Sequence, residues 1–81
     1  MLHVIQVEYV TGHRVHLWFN DGSHGEADLA EVLDGPVFEP LFEVDYFRQF
    51  RLEGHTLSWP NGADFAPEYL HQLVRSASAM H

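Results

Sequence analysis

The chain has 81 residues, with 4 Lys plus Arg against 12 Asp plus Glu for a formal net charge of −8, and it contains no cysteine. That length supports one hydrophobic core and not two, and the lack of thiols removes both a disulfide framework and a thiolate zinc centre. The acidic balance repels a phosphate backbone, whose neutralisation by Lys and Arg drives nucleic-acid binding, so DNA and RNA are not expected as direct partners.

Leu2 to Val10 is rich in β-branched and aromatic residues and ends at Thr11-Gly12. Arg14 to Asn20 then alternates strictly, with Val15, Leu17 and Phe19 set against Arg14, His16 and Trp18. The two segments predict a β-hairpin with one apolar face. At Asp21-Gly22-Ser23 the apolar pattern selects a three-residue loop with Gly22 in the left-handed position. A two-residue loop would put Phe19 opposite His24, whereas the longer one is expected to set Phe19 opposite Gly25 and Leu17 opposite Ala27. On the other face, the same register puts His16 across from Asp28, Trp18 across from Glu26 and Asn20 across from His24.

Asp28-Leu29-Ala30-Glu31 reads as a capped short helix, an acid at the N-cap and a glutamate three residues on, which Gly35-Pro36 ends. Val37 to Phe47 mixes bulky apolar residues with Pro40 and acids, as expected of a compact, partly helical cover on the core edge. Gln49 to Glu53 and Thr56 to Trp59 predict a second hairpin around Gly54-His55, with a type II′ turn, Leu52 facing Leu57 and Phe50 facing Trp59. Pro67 suits a first helical position, and Leu70, Leu73, Val74 and Ala77 recur on one face of a C-terminal helix. Residues 76–81 are expected to fray. The fold class is α+β: a mostly antiparallel curved sheet of about five strands, short central helices and a C-terminal helix, in a single domain over residues 1–81.

Phe19-Asn20-Asp21-Gly22, Gly35-Pro36-Val37-Phe38-Glu39-Pro40-Leu41, Asp45-Tyr46-Phe47 and Trp59-Pro60-Asn61-Gly62-Ala63-Asp64 together carry a resemblance. On these motifs the chain resembles the domain-of-unknown-function family 2442, small and mainly bacterial proteins, from about Val4 to Leu73. The last motif is the most specific. The resemblance implies an α+β fold with a curved sheet and no established activity. Some members look like partners in toxin and antitoxin gene pairs, and some carry an added helix-turn-helix domain. No such appendage precedes His81 here, which agrees with the acidic charge in arguing against operator binding.

Nucleophilic catalysis needs a hydroxyl or thiol beside a base and an orienting acid. Ser23 is next to His24 in sequence, yet adjacent strand residues point to opposite faces, and Ser58 has no histidine opposite it. No catalytic residue is read, and no cofactor. The chain has 7 histidines but no HExxH and no paired spacing on a helix, and no metal set is read. Asp64, just upstream of a proline-started helix, is expected to satisfy free backbone N–H groups. Trp59, Asn61, Gly62 and Asp64 are therefore read as a structural rim more than a functional one, and Trp59 as core. Trp18 is the side chain least explained by scaffold, because it projects away from the apolar face with His16 nearby.

The expectation from sequence is a non-enzymatic interaction or regulatory module, antitoxin-like, binding a cognate and basic protein through His16, Trp18 and Glu26. A small-molecule or metal-binding domain near the Trp59 to Asp64 rim is the alternative, and a homodimer is a third reading. The N-terminus lacks a basic segment followed by a long apolar run, and no stretch approaches roughly 18 apolar residues, so a soluble cytoplasmic protein with no membrane contact is expected.

Overall fold

Alternation in Arg14–Phe19 drives the first part of the fold: Val15, Leu17 and Phe19 are each no more than 1% exposed, and this strand is the centre of a three-stranded sheet. The computed structural model describes residues 1–79, with side chains described through Arg75. β1 (Val4–Thr11), β2 (Arg14–Phe19) and β3 (His24–Asp28) form an antiparallel sheet in the order β1-β2-β3. A 3-10 turn at Leu29–Val32 and another at Glu39–Phe42 lead to a single helical turn, α1 (Val44–Phe47). β4 (Arg51–Glu53) and β5 (Thr56–Ser58) pair with each other, and α2 (Pro67–Ala79) follows. The protein is α+β with five antiparallel strands, divided between a three-stranded and a two-stranded sheet. The two sheets meet where the Val4 N–H donates to the His55 carbonyl at 3.0 Å.

The loop after β2 has three residues and Gly22 at φ 91°, but its residues are Asn20, Asp21 and Gly22, closed by Phe19 N–H on Ser23 O at 2.9 Å. The pairs are consequently Trp18 with His24, Leu17 with Gly25, His16 with Glu26 and Val15 with Ala27, two residues away from the register the sequence predicts. Pleat parity fixes register only in steps of two, so the inward row is unchanged while every cross-strand partner differs. The local chemistry decides the step. In the turn, Asn20 accepts from His3 N–H through Oδ1 at 2.8 Å and donates from Nδ2 to Met1 O at 2.7 Å, bonds it could not make from a strand position opposite His24.

The second hairpin pairs Leu52 with Leu57 as expected, with Phe50 and Trp59 one step beyond the paired residues. Its turn is type I′ and not type II′, since Gly54 (φ 61°) and His55 (φ 67°) are both left-handed. A non-glycine residue there carries a steric cost, and the His55 ring lies flat against His3, centroids 3.9 Å apart at 10°.

Asp28 caps as expected, Oδ1 accepting from the Ala30 N–H at 3.1 Å, although what it caps is a 3-10 turn. The 37–47 segment is pinned from the first hairpin by His13, whose Nε2–H donates to the Leu41 carbonyl at 2.8 Å. A carbonyl only accepts, so this bond fixes the proton on Nε2. Leu41 and Phe47 enter the core beside Leu29, Leu57 and Trp59. α2 lies along β3 and buries Leu70 and Val74, one turn apart on the same face, with Leu73 half-buried beside them. Truncating a leucine as enclosed as Leu70 costs about 2–5 kcal/mol. The Ala77 side chain and the fraying expected of the last residues lie outside the described residues. No helix among the described residues is long and apolar enough to cross a membrane.

Candidate functional site

The outward face of the three-stranded sheet gathers the polar half of each alternating strand. Trp18 is half-buried there, its ring tilted against His16 at 4.2 Å between centroids and stacked with His24 at 6.2 Å. His16 and His24 themselves stack at 5.2 Å, and Nε2 of the first is 3.0 Å from Nδ1 of the second, one ring donating and the other accepting. Glu26 stands opposite His16 on β3, and Glu8 opposite it on β1. Arg14 Nη1 reaches Glu26 Oε1 at 3.5 Å, with both side chains nearly half exposed, a pair worth well under about 1 kcal/mol. His16, Trp18 and Glu26 thus share one face as read from the sequence. The partner directly across from Trp18 is His24 and not Glu26, and His24 completes the aromatic group. Parity alone already placed His24 outward; the loop closure that brings it beside Trp18 was hidden by the two-residue ambiguity.

At the rim, Trp59 is buried and its Nε1–H donates to the Phe47 carbonyl at 2.8 Å. The loop that follows repeats the architecture of the one after β2. Trp59 N–H bonds Ala63 O at 2.9 Å, Gly62 N–H bonds Trp59 O at 3.0 Å, Gly62 has φ 91°, and Asn61 Oδ1 accepts from Ala63 N–H at 3.1 Å. In the earlier loop Gly22 N–H bonds Phe19 O at 3.1 Å and Asp21 Oδ1 accepts from Ser23 N–H at 3.0 Å. Each loop also reaches outward: Asn61 Nδ2 donates to Val37 O at 2.8 Å, and Asp21 Oδ2 accepts from His71 Nε2–H at 3.1 Å.

Asp64 departs from its expected role. It is exposed, joined to Ser58 by an isolated backbone bridge, and its carboxylate makes no hydrogen bond among the described residues. Phe65 and Ala66 separate it from Pro67, so Ala66 occupies the cap position, and proline brings no N–H to satisfy. An open hollow of about 440 Å³ does lie at the rim, bounded by Arg51, Glu53, Ser58, Trp59 and Asp64. It faces the second hairpin and not the first. Arg51 is occupied there by Glu53, Nε to Oε2 at 2.7 Å.

Ser23, Asp21 and His71 form a hydrogen-bonded row in the wrong order for a hydrolytic triad. Ser23 Oγ donates to Asp21 Oδ1 at 2.6 Å, so the hydroxyl bonds the acid, whereas a nucleophile needs the imidazole between itself and the carboxylate. The Ser23 hydroxyl and N–H bonds, with a smaller contribution from His71, hold the Asp21 carboxyl down to about 2. Among the described residues no group of three or more His, Asp or Glu converges on one point.

This arrangement of a β-meander, a short second hairpin and a packed terminal helix, with the Trp-Pro-Asn-Gly rim, has a family. The model of a protein family of unknown function, DUF2442, matches residues 4–76, and the chain belongs to that family. No curated protein and no solved structure matches it.

Proposed function

We propose that this protein is a non-enzymatic interaction module of the cytoplasm, antitoxin-like or otherwise regulatory, which docks a basic cognate protein on the outward face of β1-β2-β3. The observation that carries the reading is the half-buried Trp18, packed against two histidines on a face that also bears Glu8 and Glu26. Tryptophan is enriched among the residues that dominate binding energy, and its ring offers a large rigid contact area. With a net charge of −8, association with a cationic partner is steered electrostatically, faster at low salt and slower as salt screens it. Isothermal titration against the product of the neighbouring gene tests this. Micromolar binding that Trp18→Ala abolishes supports it, and the absence of heat with any cognate candidate removes it.

A second reading rests on the rim hollow, whose guanidinium and carboxylates suit a small polar ligand. A ligand at 100 times its dissociation constant adds about 2.7 kcal/mol of stability, so a thermal-shift panel of metabolites discriminates between the two readings. Light scattering separates both from a self-association of the outward face.

A further inference from the structure

His16 and His24 sit diagonally across the β2–β3 ladder, since His16 pairs with Glu26 and His24 with Trp18. Diagonal neighbours on one sheet face are ordinarily about 7–8 Å apart, and long side chains close that gap. Here two ring nitrogens come to 3.0 Å. Trp18 packs against both rings, tilted on His16 and stacked on His24, which limits how far either can swing away. Bonds of about 2.0–2.1 Å from a transition metal to imidazole nitrogen separate the two nitrogens by roughly 2.9 Å when they meet at a right angle and by roughly 3.3 Å at the tetrahedral angle that zinc takes. The pair's 3.0 Å separation lies between these two, and each ring turns from facing its neighbour to aim its nitrogen at the shared ion.

We propose that His16 Nε2 and His24 Nδ1 form a two-imidazole chelate for a divalent transition cation of the nickel, copper and zinc group, with water filling the remaining positions. Imidazole is the ligand type those ions take, and the site needs nothing softer. Binding replaces the N–H···N hydrogen bond. The ring that donated its proton moves it to its other nitrogen by way of solvent, so each neutral imidazole presents one lone pair and no net proton is released. Glu8 and Glu26, both opposite His16, add negative potential at the face, and Arg14 offsets part of it. This inference does not require the protein-docking reading.

The test is a zinc titration of the full chain followed by the imidazole nitrogen resonances. The expected result is that His16 and His24 shift together along one saturation curve. A second ligand held in place gains about a hundredfold or more over a single one, so His16→Gln and His24→Gln are each expected to weaken binding by more than tenfold. Quenching of Trp18 fluorescence by cobalt(II), absent in Trp18→Phe while the buried Trp59 continues to emit, gives a readout in the unmutated histidine background. Zinc shifts spread over His3, His55 and His71, no quenching, or a loss of tenfold or less in either glutamine variant would overturn the chelate.

Discussion

Asn61 donates from Nδ2 to the carbonyl of Val37 at 2.8 Å, tying the rim to the segment that covers the core edge. Its other atom, Oδ1, shapes the loop by accepting from the Ala63 N–H. Asn61→Asp preserves the second bond and turns the first into a carboxylate facing a carbonyl. The expected loss is about 1 kcal/mol, the worth of one partly exposed hydrogen bond, read as a lower urea midpoint at unchanged slope. Asn61→Ala loses both bonds and is expected to fall further. A midpoint for Asn61→Asp equal to that of wild type would show that the reach to Val37 contributes nothing.

The two tryptophans are expected to behave in opposite ways. Trp59→Phe removes the indole bond to the Phe47 carbonyl, which keeps only the longer one from the Phe50 N–H at 3.3 Å, and leaves a small cavity in the core, a loss of about 1–3 kcal/mol. Trp18→Ala removes a half-buried ring from the sheet surface and is expected to cost about 1 kcal/mol or less. Chemical denaturation of both variants checks the contrast, and a greater loss for Trp18→Ala would mean that its ring belongs to the core.

Gly22 and Gly62 share φ 91°, and a Cβ placed on either meets no atom within 4 Å. The penalty for alanine there is backbone strain alone, about 1–2 kcal/mol at each site. Because the loops are built alike, the two substitutions are expected to cost the same within about 0.5 kcal/mol. Thermal unfolding of Gly22→Ala and Gly62→Ala measures the difference.

Two titrations contribute to the acid limb of stability. Asp21 titrates at about 2 in the folded chain and near 3.8 when free, so its contribution is fully present above the free value and is lost as pH falls toward 2. The stability gap between wild type and Asp21→Asn is therefore expected to be smaller at pH 2 than at pH 5. His3 is lowered from 6.5 by partial burial first and by the neighbouring His55 next. The unfolded chain takes that proton first, and stability falls as pH drops from about 6.5 through the lower folded value. His3→Gln is expected to lose less stability between pH 7.5 and pH 5 than wild type, as urea midpoints at the two values would show.

Periodicity carried the fold and polar detail decided the site. Val15, Leu17 and Phe19 announce their face because apolar burial has a period of two, and Leu70 and Val74 announce theirs by helical spacing. A shift of two residues conserves that pattern, so it could not distinguish Trp18 opposite Glu26 from Trp18 opposite His24. What distinguishes them is the double amide bond from Asn20 to Met1 and His3, a contact between residues far apart in sequence. The turn at Gly54-His55 was ambiguous for a related reason: glycine in first place suits both primed turns, and only the conformation of the second residue separates them. Asp64 misled because an acid near a helix start is a cap only when it directly precedes the first helical residue.

Within each twin loop, one atom of an Asx side chain makes the bend and another takes hold of a neighbour. A bend made this way is portable: the grip can be exchanged, amide for carboxylate, without redrawing the backbone. The same five-residue hinge can then secure a helix through a histidine in one place and an irregular strap through a peptide carbonyl in another, so the fold's cohesion is adjustable at two single positions.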